Sequence, residues 1–331
     1  MFVLTCLMNT LRMGAEKNGH SGKGGGGMRT AQAGGLAVSQ GQTPQSAIGT
    51  PTVPAEAEAA PRGTVAFVLQ GGGSLCAPQV GMLRALTQAG IRPDLVVGSS
   101  AGALNGAAFA ADPSIGGIDR LEALWMRLKR RHVAPLSLRT LARAALGRSE
   151  AAVSSAALQQ LLRSAIAVGR LEEAAVSMHA VATDFETGAA VILSSGEAVP
   201  ALLASAAFPG LYAPVRIGGH RLIDGGVSAD LPVLQAERLG ATTLYVLPAA
   251  VTEKAGRPTH ATLVAGCRAL GQILDERERR DIAAVRGSVY RLPTVTTPVA
   301  SLIDFRDTRR LVQAGHGLTA GWLARQTATR E

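Results

Sequence analysis

From Gly63 onward the chain repeatedly passes from a short, unbroken apolar run through glycine into a stretch of helical spacing. This alternation restricts the fold more than any other feature. "TVAFVLQ" (64–70) runs into three glycines, and "APQVGMLRALTQAG" (77–90) follows, with Val80, Leu83 and Leu86 three residues apart and a glycine at its close. An apolar run of that length bounded by glycine is the pattern of a strand buried on both faces, and the glycine stop is that of a helix end. The pair recurs as "DLVVG" (94–98) and "SAGALNGAAFAA" (100–111). Further strands are expected at "MHAVATD" (178–184), "AAVIL" (189–193) and "TTLYVLP" (242–248), and helices near 116–130, 156–176, 197–206, 231–239, 258–285 and 306–327. Strands separated by helices give a three-layer α/β/α domain around a mainly parallel sheet.

The first sixty residues break this pattern. "GHSGKGGGG" and "SQGQTPQSAIGTPTVPAEAEAAPRG" lack apolar periodicity and cannot bury enough surface to offset the entropy of ordering. Residues 1–62 are therefore expected to form a disordered extension and 63–331 the folded domain. The opening "MFVLTCLM" is apolar but short, without a preceding positive charge, so a secretory signal is disfavoured, and Met28 is an alternative start.

Composition excludes several classes. No stretch approaches the ~18 consecutive apolar residues of a spanning helix. Three scattered cysteines (Cys6, Cys76 and Cys267) without C-x-x-C spacing argue against a disulfide framework or a zinc site, and fit a reducing, cytoplasmic setting. Residues 119–170 carry ten Lys or Arg against three Asp or Glu. The plain reading is a solvated, arginine-rich surface. The sharper one is peripheral contact with anionic lipid through residues 127–148, since nucleic acid is disfavoured by aromatics at only 3% and by the lack of any binding motif.

Chemistry enters at Gly98-x-Ser100-x-Gly102, placed between an expected strand and an expected helix. A turn that tight needs residues with almost no side chain two before and two after the serine, and it presents the hydroxyl at a helix N-terminus. "QGGGSLC" (70–76) offers backbone N–H groups for an oxyanion. It lacks the lysine of a phosphate loop, and Cys76 stands where a dinucleotide fingerprint needs glycine. A histidine base would have to be His132, His179, His220, His260 or His316, and none lies in a distinctive turn. His179 and His220 fall within strand patterns. The stronger signal is "LIDGGV" (222–227), an apolar strand ending at Asp224 before Gly225 and Gly226, although Asp-Gly-Gly alone more often marks a hairpin.

Taken together, "QGGGSLCAPQVGMLRAL", "VVGSSAGALNGA" and "SAAFPGLYAPVRIGGHRLIDGGV" resemble the three signature blocks of the patatin-like phospholipases, in the right order. The similarity runs from about Val65 to Leu323. The resemblance implies a Ser–Asp dyad without histidine: Ser100 as nucleophile, Asp224 as its base, and Gly71, Gly72 and Gly73 as the oxyanion loop. Gly98, Gly102, Gly225 and Gly226 support the turns. It implies a lipid or ester substrate and neither metal nor cofactor. Leu75 matches bacterial members that carry leucine there. Cys76 departs from the pattern, because the family has glycine at that place. If the position requires a positive φ, cysteine would cost roughly 1 kcal/mol or more and distort the loop. The implied reaction is acyl hydrolysis through an acyl-enzyme. An acyltransferase with a non-water acceptor and a non-catalytic lipid-binding protein are the alternatives.

Overall fold

The computed structural model describes residues 63–135, 151, 153–252, 275–298 and 301–328; the expected disordered extension, 1–62, lies outside them. Strand β1 (Val65–Leu69) passes through the glycine-rich turn into α1 (Ala77–Gln88), and β2 (Leu95–Ser99) turns at once into α2 (Ala101–Ala111). Helix α3 (Ile115–Arg127) is started by Ser114, whose hydroxyl accepts the Gly117 amide. The short α4 (Arg130–Val133), α5 (Ala156–Ala165), β3 (Ser177–Asp184), β4 (Ala190–Leu193) and α6 (Ala198–Ser205) follow. Then come β5 (Val215–Ile217), β6 (His220–Asp224), α7 (Gly226–Ala229), α8 (Val233–Arg238) and β7 (Thr243–Leu247). The chain closes with β8 (Val251–Thr252), a helical stretch over 275–284, β9 (Ser288–Arg291), β10 (Thr296–Thr297) and α9 (Thr308–Ala328).

Five strands, β3-β2-β1-β7-β9, lie side by side in parallel, as the alternating pattern requires. Side chains of β1 separate onto two cores. Phe67 and Leu69 join Val80, Leu83 and Ala107 on one face, while Ala66 and Val68 join Val233, Ala236 and Ile282 on the other. Burial on both faces is why these strands read as unbroken apolar runs.

The sheet's other end is mixed, and there the fold builds its site. Strand β3 pairs β4 antiparallel over Ala180–Thr183, which occupies one edge. The opposite edge is shared: β2 pairs parallel up to Ser99↔Val181, and β6 pairs antiparallel from Ala182↔Asp224 onward. Strands β2 and β6 thus run toward each other along one edge of β3 and stop at adjacent rungs.

One expectation is corrected in detail. The helix expected over 156–176 ends at Ala165, because Ile166 is extended and a separate 3-10 turn forms at Leu171–Glu173. The Gly169 and Arg170 amides both donate to the Glu173 carboxylate, which starts that turn afresh. The helix expected over 258–285 is described only from 275, where it is helical.

Helix α1 leaves the glycine loop and is clamped by α9, glycine against backbone on both sides. A Cβ on Gly81 would stand 2.1 Å from the Val312 carbonyl oxygen, and one on Gly315 2.2 Å from that of Pro78. Gly315→Val is expected to push the helices apart and lower stability by about 1–3 kcal/mol, read as an earlier thermal transition; an unchanged transition would contradict this packing.

Candidate active site

Ser100 sits on the turn between β2 and α2 with φ 51° and ψ −127°, the one non-glycine residue with positive φ among the described residues. Strain of that kind persists only where the surroundings enforce it. Here α2 packs directly on the strands it leaves. A Cβ on Gly98 would lie 2.7 Å from the Ala103 nitrogen, and one on Gly102 2.4 Å from the Gln70 carbonyl oxygen. The Ser100 amide donates to the buried Ser205 hydroxyl on α6 (3.0 Å), which in turn donates to the Val181 carbonyl (2.6 Å). Ser205 carries no local sequence signal; only the tertiary fold brings it to the turn.

The meeting of β2 and β6 brings Asp224 to Ser100. The Ser100 hydroxyl donates to Asp224 Oδ2 at 2.7 Å, and the Gly226 amide donates to Oδ1 at 2.8 Å. Asp224 is 3% exposed, and burial pushes its carboxyl up to about 6 against the opposing pull of those two hydrogen bonds. Gly225 and Gly226 do not form a hairpin; Gly225 caps the short helix α7. Glycine is needed at 225 because a Cβ would lie 2.2 Å from the Val181 carbonyl oxygen.

The glycine loop lies against this pair. A Cβ on Gly71 would stand 3.3 Å from that of Ser100. The Gly71 amide, however, donates to the Asp230 carbonyl, and the Ser74 amide donates to the Leu302 carbonyl. Among the described residues the Gly72 and Gly73 amides have no partner, nor has the Ala101 amide at the start of α2. Gly72 and Gly73 adopt φ of 148° and 57°, which turns the backbone here. Cys76 does not share that geometry. It has φ −82° and ψ 0° as the residue capping α1, so the strain anticipated for a side chain there is absent. Its thiol donates to the Gln70 carbonyl.

None of the described histidines hydrogen-bonds to Ser100 or Asp224. His179 bonds to Ser177 and Ser194, and burial lowers it to about 4; His220 pairs with Asp184, and His316 meets Gln88. His132 accepts the Lys129 amide on the surface, and His260 lies outside the described residues. A second carboxylate was not anticipated. Asp230 accepts from Gln70 Nε2 (3.0 Å) and is raised to about 7 by burial, with the charges of Asp224 and Glu278 adding to the effect against that hydrogen bond.

Above Ser100 opens a cavity of about 130 Å³ whose walls are almost wholly apolar, with Leu104, Trp125, Leu162, Ile166, Leu211 and Phe305 among them. Ser100, Asp224 and Gly73 stand at its polar end. No group of three or more His, Cys, Asp or Glu among the described residues is placed to hold a metal ion, and no described helix is long and apolar enough to cross a membrane. Of the basic span 127–148, only 127–135 is described.

A family model described as patatin-like phospholipase matches residues 67–237, just over half of the chain. The chain belongs to the patatin-like phospholipase family. An uncharacterised NTE family protein of Mycobacterium bovis is 30% identical over 169 residues, covering 51% of this chain and 44% of that protein. Patatin-like phospholipase domain-containing protein 6 of Homo sapiens is 25% identical over 205 residues, covering 61% of this chain and 14% of that protein. The chain thus spans less than half the length of these relatives. Among solved structures, VipD from Legionella pneumophila aligns with a TM-score of 0.44 at 15% identity, over 81% of this chain and 68% of that one.

Asp224 sets a pH dependence of stability. Its folded value of about 6 exceeds the ordinary carboxylate value, so its contribution is fully present below about pH 4 and is lost as pH rises through 6. Asp224→Asn escapes that loss. Its stability relative to the wild type is expected to rise by on the order of 2 kcal/mol between about pH 4 and pH 8, measured by denaturant unfolding; a difference flat with pH would contradict the burial of an ionising carboxyl.

Proposed function

We propose that this chain is a serine acyl hydrolase of lipid esters, of phospholipase A, lysophospholipase or esterase type. It would work through a Ser100–Asp224 dyad. The observation that carries the reading is the 2.7 Å hydrogen bond from Ser100 to a carboxylate buried beside it, at the polar end of an apolar cavity. In the first step Ser100 Oγ attacks the ester carbonyl while Asp224 takes its proton. The unpartnered amides of Gly72 and Gly73, with that of Ala101, are left available to donate to the oxyanion, and Gly71 serves by holding the loop through Asp230. The protonated Asp224 then gives its proton to the departing alcohol. Water, deprotonated by the same carboxylate, releases the acid.

Two features favour this chemistry. A carboxyl raised to about 6 is a better base than an ordinary aspartate while still ionised near neutrality. The cavity suits a hydrocarbon chain, because walls without charge give up little by losing water and gain from each buried methylene.

Covalent labelling with a fluorophosphonate tests the reading. Label is expected on Ser100 and on nothing in Ser100→Ala, and Asp224→Asn is expected to react at least about a hundredfold more slowly. The labelling rate of the wild type is expected to rise with pH through about 6, as Asp224 ionises. A folded wild type that stays unlabelled would favour the lipid-binding alternative, and an undiminished rate in Asp224→Asn would require a different base.

A further inference from the structure

Three polar side chains from three different helices meet beneath the glycine loop, in a region otherwise filled by hydrocarbon. Gln79 of α1 is 0% exposed, Asn105 of α2 is 1% and Trp125 of α3 is 5%. Their hydrogen bonds form one continuous chain. Gln79 Nε2 donates to the Gln70 carbonyl (2.8 Å) and to that of Leu247 (3.0 Å). Asn105 Nδ2 donates to Gln79 Oε1 (2.9 Å) and to the Cys76 carbonyl (3.1 Å). Trp125 Nε1 completes the chain by donating to Asn105 Oδ1 at 2.7 Å.

Two of the three carbonyls that receive these bonds stand at the two ends of the loop. Gln70 immediately precedes Gly71, and Cys76 ends the 3-10 turn that begins at Gly73. The Gly72 and Gly73 amides lie between them. Buried polar groups are tolerated where every one is satisfied, and a network of this kind fixes geometry in a way that an apolar filling cannot. Two of its members, Asn105 and Trp125, also form part of the cavity wall.

We propose that Gln79, Asn105 and Trp125 are positioning residues for the oxyanion amides, holding both ends of the loop from below. They touch no reacting atom; they act through the carbonyls of Gln70 and Cys76. The inference rests on the hydrolase reading above. Aliphatic residues could fill these three places only by giving up the bonds to the loop carbonyls, and a full complement of donors and acceptors ending on the loop points to a directional role.

Trp125→Phe keeps an aromatic ring in the cavity wall but removes the N–H, and Gln79→Met keeps the volume but removes the hold on Gln70. Both are measured on propionyl and dodecanoyl nitrophenyl esters, with kcat expressed per serine titrated by fluorophosphonate and with thermal stability recorded alongside. In each variant kcat per titrated serine is expected to fall roughly tenfold or more on both esters, with KM little changed, since a slightly misplaced group loses transition-state contact and not substrate binding. Equal kcat per titrated serine with a lowered melting temperature would overturn the proposal, leaving the network merely structural. A Trp125→Phe effect confined to KM for the dodecanoyl ester would also overturn it, leaving Trp125 as cavity wall alone. A wild type that hydrolyses neither ester and takes no label removes the hydrolase reading itself, an outcome separate from either of these.

Discussion

Strand β3 has two edges, and the site exists because one of them is shared. Strand β2 occupies that edge up to Val181, and β6 takes over at Ala182 from the opposite direction. Two strands that approach head to head along one neighbour must both stop, and the residues at which they stop are forced together. Ser100 follows the end of β2 and Asp224 ends β6. Backbone hydrogen bonding therefore sets the distance between two side chains that lie 124 residues apart in sequence. Neither needs a long or mobile side chain to reach the other, and little entropy remains to be lost in aligning them.

The remaining features follow from this collision. Gly225 has to pass under Val181 with no room for a Cβ, and the chain then winds into α7, whose first amide bonds Asp224. Ser100 is held in a left-handed conformation by α2 lying flat against β1 and β2, with Ser205 receiving its amide. Burial that makes this geometry rigid also removes water from Asp224, and the same desolvation that destabilises the ionised fold raises its basicity. The structural cost and the proposed chemical use of Asp224 have one physical origin.

Much of this was legible in the sequence. The strands and helices from Val65 to Ala111 announce themselves by unbroken apolar runs punctuated by glycine, because a strand buried on both faces has no polar alternation to blur the signal. Ser100 and Asp224 stand out by their glycine neighbours, since backbone crowding writes itself into composition. What stayed hidden depends on contacts distant in sequence. Gln79, Asn105, Ser205 and Asp230 have nothing in their local surroundings to mark them; each matters through a partner that only the fold supplies. The four strands β5, β8, β9 and β10 have two to four residues each, too few to carry a pattern. Cys76 looked like damage to a glycine loop because its place in the motif was legible but its dihedral angle was not; an ordinary helical φ removes the conflict.

One strand edge brings together Ser100 and Asp224, the proposed nucleophile and base, and the Gly72 and Gly73 amides are proposed to bind the oxyanion formed there. A crystal structure of the chain after reaction with an alkyl fluorophosphonate tests this proposal most directly. The expected adduct has a phosphorus–oxygen bond to Ser100 Oγ, the phosphoryl oxygen within hydrogen-bonding distance of the Gly72 and Gly73 amides, Asp224 still beside Oγ, and the alkyl chain in the cavity lined by Trp125 and Phe305. A phosphoryl oxygen turned away from those amides, or an adduct on any other residue, would contradict it.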